Sequence, residues 1–192
     1  MLDKKDFQEM QQELQKYDEK RELLIKKSRD ILKLSKQVIY AVHRNELSEA
    51  ANLLKNLEKE KNELNKISKH DPHMLSEGSF RIALQEYVEA ALYYEFVKNE
   101  KLPSHKKLDV DSEHFVMGLC DLTGELARRA VYLAGKNQTK NVVKIRDLID
   151  EIYGELLKFD FRENEVRRKF DAIKYEINKI EELVLDLKLR KR

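Results

Sequence analysis

Two pairs of acidic residues carry the chemistry this sequence could do. Glu86 and Glu89 stand three apart in the run Arg81 to Lys98, and Asp121 and Glu125 four apart in the run His114 to Arg129. Residues three or four apart share one face of a helix. The first pair also interrupts an apolar stripe, since steps of three or four from Ile82 pass through Glu86, Glu89, Tyr93 and Phe96. A solvated face does not usually read that way. Folded back as an antiparallel hairpin, the two runs bring the four carboxylates to one height, because the midpoint between the pairs falls inside the link Lys101 to Asp111. Carboxylates facing inward at one level repel each other, and burying them unpaired is costly. A hard divalent cation such as Mg²⁺ or Mn²⁺, which takes oxygen ligands, would relieve that repulsion. The competing reading is a set of structural ion pairs with Arg81, Arg128 or Arg129, since 36 acidic residues in 192 give such spacings by chance.

The elements that must position these acids are helices. The charged fraction is 39% and the hydrophobic fraction 41%, with only 5 Gly and 2 Pro, which argues for long helices and almost no sheet. Residues 4–44 hold neither breaker and carry Phe7, Met10, Leu14, Tyr17, Leu24, Ile31, Val38 and Val42 on a near-heptad seam. Such a helix reaches roughly 60 Å and must cross several others or touch another subunit. Arg21, Ser28 and Ser35 on the seam weigh against an uninterrupted coiled coil.

A second helix spans about Glu46 to Ile67 behind an Asn45 N-cap, and a third Phe80 to Glu100, ended by Pro103. The fourth, Ser112 to Ala134, starts at an Asp111 cap and stops at Gly135 as the C′ residue. Gly118 and Gly124 inside it imply close helix approach or room for a ligand. Lys140 to Lys158 and a last helix from Asn164 complete the chain. The last carries an unbroken stripe, Val166, Phe170, Ile173, Ile177, Ile180, Val184 and Leu187. The expectation is an all-α bundle of about six to seven long helices forming one domain over residues 1–192.

Composition narrows the rest. A net charge of +2 neither demands nor forbids a nucleic-acid partner, so any basic surface is local. The single cysteine, Cys120, allows no internal disulfide, fits a reducing cytoplasm and reads as a small buried apolar residue. No run reaches the roughly 18 apolar residues of a membrane span. His70 and His73 flank an Asp-Pro turn and read as polar loop residues rather than ligands.

Several segments resemble a known family. Gln85-Glu-Tyr-Val-Glu-Ala90 and Asp121-Leu-Thr-Gly-Glu-Leu126 are similar to signature segments of the translin and translin-associated factor X family. Lys27-Ser-Arg-Asp-Ile31, with His43-Arg44 at the helix end, resembles the family's first helix. Arg168 to Tyr175 and Ile180 to Val184 resemble its C-terminal region. The resemblance implies a translin-like fold and a hollow homo-oligomer, an octamer, holding single-stranded RNA or single-stranded DNA. It implies metal-dependent endoribonuclease activity with Glu86, Glu89, Asp121 and Glu125 as the catalytic, metal-binding acids. A microbial homologue assembling with itself fits the compact chain.

In that reading carboxylates of two helices hold one or two divalent ions that activate water for in-line attack on a phosphodiester. Glu89 and Glu125 are equal candidates for the proton acceptor. Arg128 and Arg129 would line the strand path, with Arg21, Arg29 and Arg44 as further candidates. Tyr87 and Tyr93 read as core aromatics before base stackers. The alternative is a translin-like shell that binds RNA or single-stranded DNA without cutting it. A di-iron carboxylate bundle is set aside, since neither Glu86 nor Asp121 has a His three residues on.

Overall fold

The computed structural model describes residues 2–162 and 164–190, so Lys191 and Arg192, candidate phosphate contacts in a basic tail, lie outside the described residues. Among the described residues there is no strand. The helices are α1 (Lys4–His43), α2 (Leu47–Ser68), α3 (Pro72–Ser76), α4 (Gly78–Asn99), α5 (His105–Leu108), α6 (Ser112–Gly135), α7 (Thr139–Leu156) and α8 (Asn164–Leu189). Six of these are long and α3 and α5 are about one turn each, so the all-α, long-helix expectation stands. No helix among the described residues is long and apolar enough to cross a membrane.

The seam of α1 divides in two. Leu24, Ile31, Val38 and Val42 are fully buried, and the small Ser28 and Ser35 fit the seam between them. Every residue from Leu2 to Lys16 is exposed, Phe7, Met10 and Leu14 included. The helix therefore overhangs the body, and its first ring contact is Tyr17 edge-on to His73 of α3.

Side-chain pairs fix the directions. Lys27 joins Glu60, so α2 returns antiparallel to α1. The turn between them uses Asn45 in the left-handed region at φ 59° rather than as the expected N-cap; Glu46 precedes α2 and makes no side-chain cap bond. Arg21 meets Glu77 and His43 meets Tyr93, so α4 runs parallel to α1.

The pair α4 and α6 corrects the antiparallel hairpin. Arg81 pairs with Glu113, and Gly118 lies against Gln85 and Val88. The partner's number rises with the residue's own, so α6 runs parallel to α4. The link can manage this. Twelve residues reach about 40 Å extended, against about 33 Å for the 22-residue α4. The returning chain is pinned by Lys61 of α2, itself buried. Its Nζ donates to the Leu108 carbonyl and to Asp109 Oδ2, each at 3.2 Å, and sits 5.5 Å from the Tyr87 ring centre. Asp111 then caps α6 as expected, accepting from the His114 amide at 2.9 Å.

The acids still gather, because the register that sets Arg81 against Glu113 and Gly118 against Gln85 and Val88 brings Asp121 level with Glu89, with Glu86 about one turn before and Glu125 about one turn after. After α6 the chain turns at Asn137, φ 58°, while Gly135, expected just past the helix, closes it as its last residue. α7 runs back with Val142, Ile145, Ile149, Ile152 and Leu156 buried. α8 rises again beside α6, stacking Phe170 on Tyr153 at 5.1 Å and burying Val166, Ile173, Ile180 and Val184.

Candidate active site

The four acids occupy the middle of the parallel trio α1, α4 and α6. Glu86, Glu89 and Glu125 line a cleft of about 360 Å³ with Lys36, Ile39 and Tyr40 of α1 and Arg128 of α6. Asp121 stands behind them, against α8. The close passage of α4 and α6 depends on Gly118, where a Cβ would come within 2.7 Å of the Gln85 carbonyl oxygen and of Val88. Gly124 is different: a Cβ there would meet nothing within 4 Å. Of the two reasons for these glycines, close approach holds at Gly118 and open space at Gly124.

The acids differ in their company. No described residue hydrogen-bonds or ion-pairs with Glu86 or Glu89, which face each other and the α6 acids. Burial pushes the Glu89 carboxyl up to about 8, helped by the charges of Asp121, Glu86 and Glu125. Glu86 is raised too, mainly by burial, with Asp121 adding and Lys36 opposing. On α6 each acid has a cation. Lys169 of α8 donates to both oxygens of Asp121, at 2.7 and 2.5 Å. His43 of α1 donates from Nε2 to Glu125, and Arg128 lies 3.7 Å from the same oxygen. The His43 bond holds the Glu125 carboxyl below its usual range. With Nε2 donating, the neutral ring accepts the Tyr93 hydroxyl at Nδ1, 2.9 Å away.

The donor set suits a hard divalent cation in chemistry, since all four groups are carboxylates and two of them, buried Glu89 and half-buried Glu86, have no bonded counter-charge among the described residues. Glu86 and Glu89 would hold such an ion, with Glu125 and Asp121 across from them. Among the described residues no group of three or more His, Cys, Asp or Glu side chains forms a ready-made metal cage, so Lys169 and His43 would have to yield.

The arginines scatter. Arg128 lines the cleft, and Arg44 stands at the end of α1, paired with Glu46 at 2.5 Å. Arg129 ties α6 to α1, donating to Asn45 Oδ1 at 3.1 Å and to the Val42 carbonyl. Arg21 clasps Glu77, and exposed Arg29 flanks the same hollow. Glu77, the partner of Arg21, is nine residues, about 13 Å of helix, from Glu86. Tyr87 and Tyr93 are buried in the core, as read from their stripe. Cys120 is buried, its thiol pushed up to about 12 chiefly by burial, which makes it a poor nucleophile.

Sequence reasoning missed His43, Lys36 and Lys169. A signal existed: Lys36, Ile39 and His43 follow helical steps on the buried half of α1, and Lys169 stands between Val166 and Ile173 on the stripe of α8.

The sequence matches the translin family over residues 19–191. An uncharacterised protein of Methanocaldococcus jannaschii is 27% identical to it, over 90% of this chain and 80% of that one. Translin-associated protein X of Rattus norvegicus is 25% identical, over 96% of this chain and 78% of that one. Among solved structures, apo-NeC3PO superposes with a TM-score of 0.90 and 28% identity, over 97% of this chain and 98% of that one. AfC3PO in a complex with duplex RNA has a TM-score of 0.82 at 22% identity, over 96% and 97% of the two chains, a likeness of fold. The chain belongs to the translin family.

Proposed function

We propose that this protein is a divalent-metal-dependent endoribonuclease for single-stranded RNA, working as a hollow homo-oligomer. The observation that carries the reading is the pair Glu86 and Glu89, to which no described side chain bonds and whose carboxyls burial raises, with Lys36 and Lys169 offsetting that rise only in part. Glu86 and Glu89 would hold Mg²⁺ or Mn²⁺, which would supply positive charge to the phosphoryl oxygens and acidify water. Without a metal ion the Glu89 carboxyl, pushed up to about 8, holds its proton near neutral pH, and it would release that proton on binding a divalent ion. Lys36 and Arg128, on opposite walls of the cleft, draw the phosphate toward the acids. The His43 ring fixes the Glu125 carboxylate through one nitrogen while Tyr93 holds the other.

Two further observations support the wider reading. The C3PO of similar fold was captured with duplex RNA. The overhanging Phe7, Met10 and Leu14 present a seam that a second copy could cover, consistent with self-assembly, as in an octamer.

The test is cleavage of a labelled single-stranded RNA with Mg²⁺ or Mn²⁺, with EDTA, and with Glu86→Gln. Cleavage should need the metal and vanish in the variant, while binding survives. The second reading, a binding shell without activity, is favoured by Lys169 already neutralising Asp121 and by His43 and Arg128 already engaging Glu125. Binding without cleavage at any metal concentration would establish it. The mass in solution, with and without the oligonucleotide, reads the assembly.

A further inference from the structure

The C-terminal ends of α1 and α6 repeat one arrangement. Lys36, Tyr40 and Arg44 succeed each other at steps of four on α1, and Arg128, Tyr132 and Lys136 do so on α6. Steps of four keep to one helix face. In both triplets the last cation is the C-cap residue and lies over the tyrosine ring. Arg44 Cζ is 5.6 Å from the Tyr40 ring centre, and Lys136 Nζ is 4.4 Å from that of Tyr132. Tyr40 is 59% exposed and Tyr132 38%. The triplets are joined. Lys36, Tyr40 and Arg128 line the acid cleft, and the Asn45 amide donates to the Tyr132 hydroxyl at 3.3 Å.

One exposed tyrosine under a cation is ordinary surface. Two in the same order, on parallel helices, beside an opening lined with carboxylates, answer an electrostatic problem. The cleft's acids repel any polyanion, so a phosphate chain can approach only along cations. The triplets place four cations on that approach. We propose that they form a track for an unpaired polynucleotide strand, its bases stacking on Tyr40 and Tyr132 and its phosphates running between Lys36, Arg44, Arg128 and Lys136. An exposed ring offers its face to any base, so the track reads little sequence. A duplex keeps its base faces stacked and cannot use the rings, which makes the track selective for unpaired strands. The inference deepens the proposed function and rests on its nucleic-acid half, not on cleavage.

The test uses the full chain carrying Glu86→Gln, in EDTA, with fluorescence anisotropy of a short labelled oligouridylate, alone and paired with its complement. Tyr40→Ala and Tyr132→Ala should each weaken single-strand binding by about fivefold or more. Tyr40→Phe and Tyr132→Phe should bind as the parent does, because the ring stacks and the hydroxyl does not. Both tyrosines are exposed, and circular dichroism of each variant confirms that the helices persist. Lys36→Ala and Lys136→Ala should each flatten the slope of log affinity against log salt by about 0.7. The duplex should bind more weakly and ignore the tyrosine changes.

Alanine variants that bind like the parent, phenylalanine variants as weak as alanine, an equally tight duplex, or no binding at all would each overturn the track. The two readings fail separately. RNA cleavage with no tyrosine dependence of binding removes the track alone, and tyrosine-dependent binding without cleavage removes the nuclease alone.

Discussion

The two acid pairs sit across one narrow gap and are treated in opposite ways. On α6, Asp121 has an ammonium from α8 and Glu125 has an imidazole from α1. On α4, Glu86 and Glu89 have lost water and gained no bonded partner among the described residues. The electrostatics follow: Glu125 is pulled down by His43, while Glu86 and Glu89 are driven up by burial first and by the neighbouring acids second. One wall of the gap is finished as protein structure and the other is left short of positive charge. That asymmetry teaches where an incoming cation gains most, because it replaces solvation that folding removed from α4 and must compete with protein cations on α6.

The sharpest way to break the comparison is Glu89→Gln. RNA cleavage should fall by about a hundredfold or more, since the buried carboxylate proposed to bind the ion would be lost. Stability should move the other way. Folded Glu89 keeps its proton up to about pH 8, whereas the unfolded chain releases it near 4.5. Between those values the folded state binds more protons, so stability falls as pH rises and levels off above about 8. The loss is at most roughly 5 kcal/mol. Urea unfolding from pH 5 to 9 should show that decline in the parent and a flatter profile in Glu89→Gln. Mn²⁺ at pH 8 should raise the parent's Tm and leave the variant's nearly unchanged. A flat parent profile would mean that α4 is no more strained than α6.

Gly118→Ala attacks the gap itself. Its new Cβ would stand 2.7 Å from the Gln85 carbonyl oxygen, which is backbone and cannot swing aside. The helices must part, at a cost of about 1–3 kcal/mol. The acids face each other across this contact, so Mn²⁺ binding should weaken along with the Tm. A drop in Tm with unchanged Mn²⁺ affinity would show that the acids do not depend on this register.

What the sequence made legible was local. Helix positions, the buried stripes of α7 and α8, and the two acid pairs follow from spacing within a few turns. The direction of α6 was not local. Twelve residues can close a hairpin or return alongside α4, and the choice lies with Lys61, far upstream, holding Leu108 and Asp109. The partners of the acids were hidden for the same reason: His43 is 82 residues from Glu125 and Lys169 is 48 from Asp121. Periodicity can say that a cation rides on a buried stripe but not which carboxylate it will meet. Lys36 and His43 follow helical steps that the sequence shows, but α1 reads as a continuous seam, and only its packed half reaches the cleft.

Lys169→Met tests the finished wall. The ammonium and carboxylate remain about 27% and 31% exposed, so the pair contributes only about 1 kcal/mol or less to stability. The change should show more clearly in the cleft. Lys169 partly offsets the rise at Glu89, and without it that carboxyl should titrate higher and the pH-dependent decline should extend upward. Mn²⁺ should bind more tightly by a few-fold, because Asp121 no longer has a resident cation to give up. Weaker Mn²⁺ binding would mean that Lys169 orients Asp121 for the metal rather than competing with it.

The smallest effect belongs to Gly124→Ala, and it separates the two glycines of α6. Nothing lies within 4 Å of the added Cβ, so the packing reason that holds at Gly118 is absent. Relieving a mid-helix glycine should then stabilise the protein by about 0.5–1 kcal/mol, a modest rise in Tm. Gly124 stands between Asp121 and Glu125 in the sequence, and open space lies where its side chain would be. If that space serves substrate, the more stable variant should cut RNA more slowly while binding Mn²⁺ as before, because the methyl group displaces the strand and not the ion. A variant that is both more stable and fully active would show that the glycine reserves no room. The acids' asymmetry would then rest on charge alone.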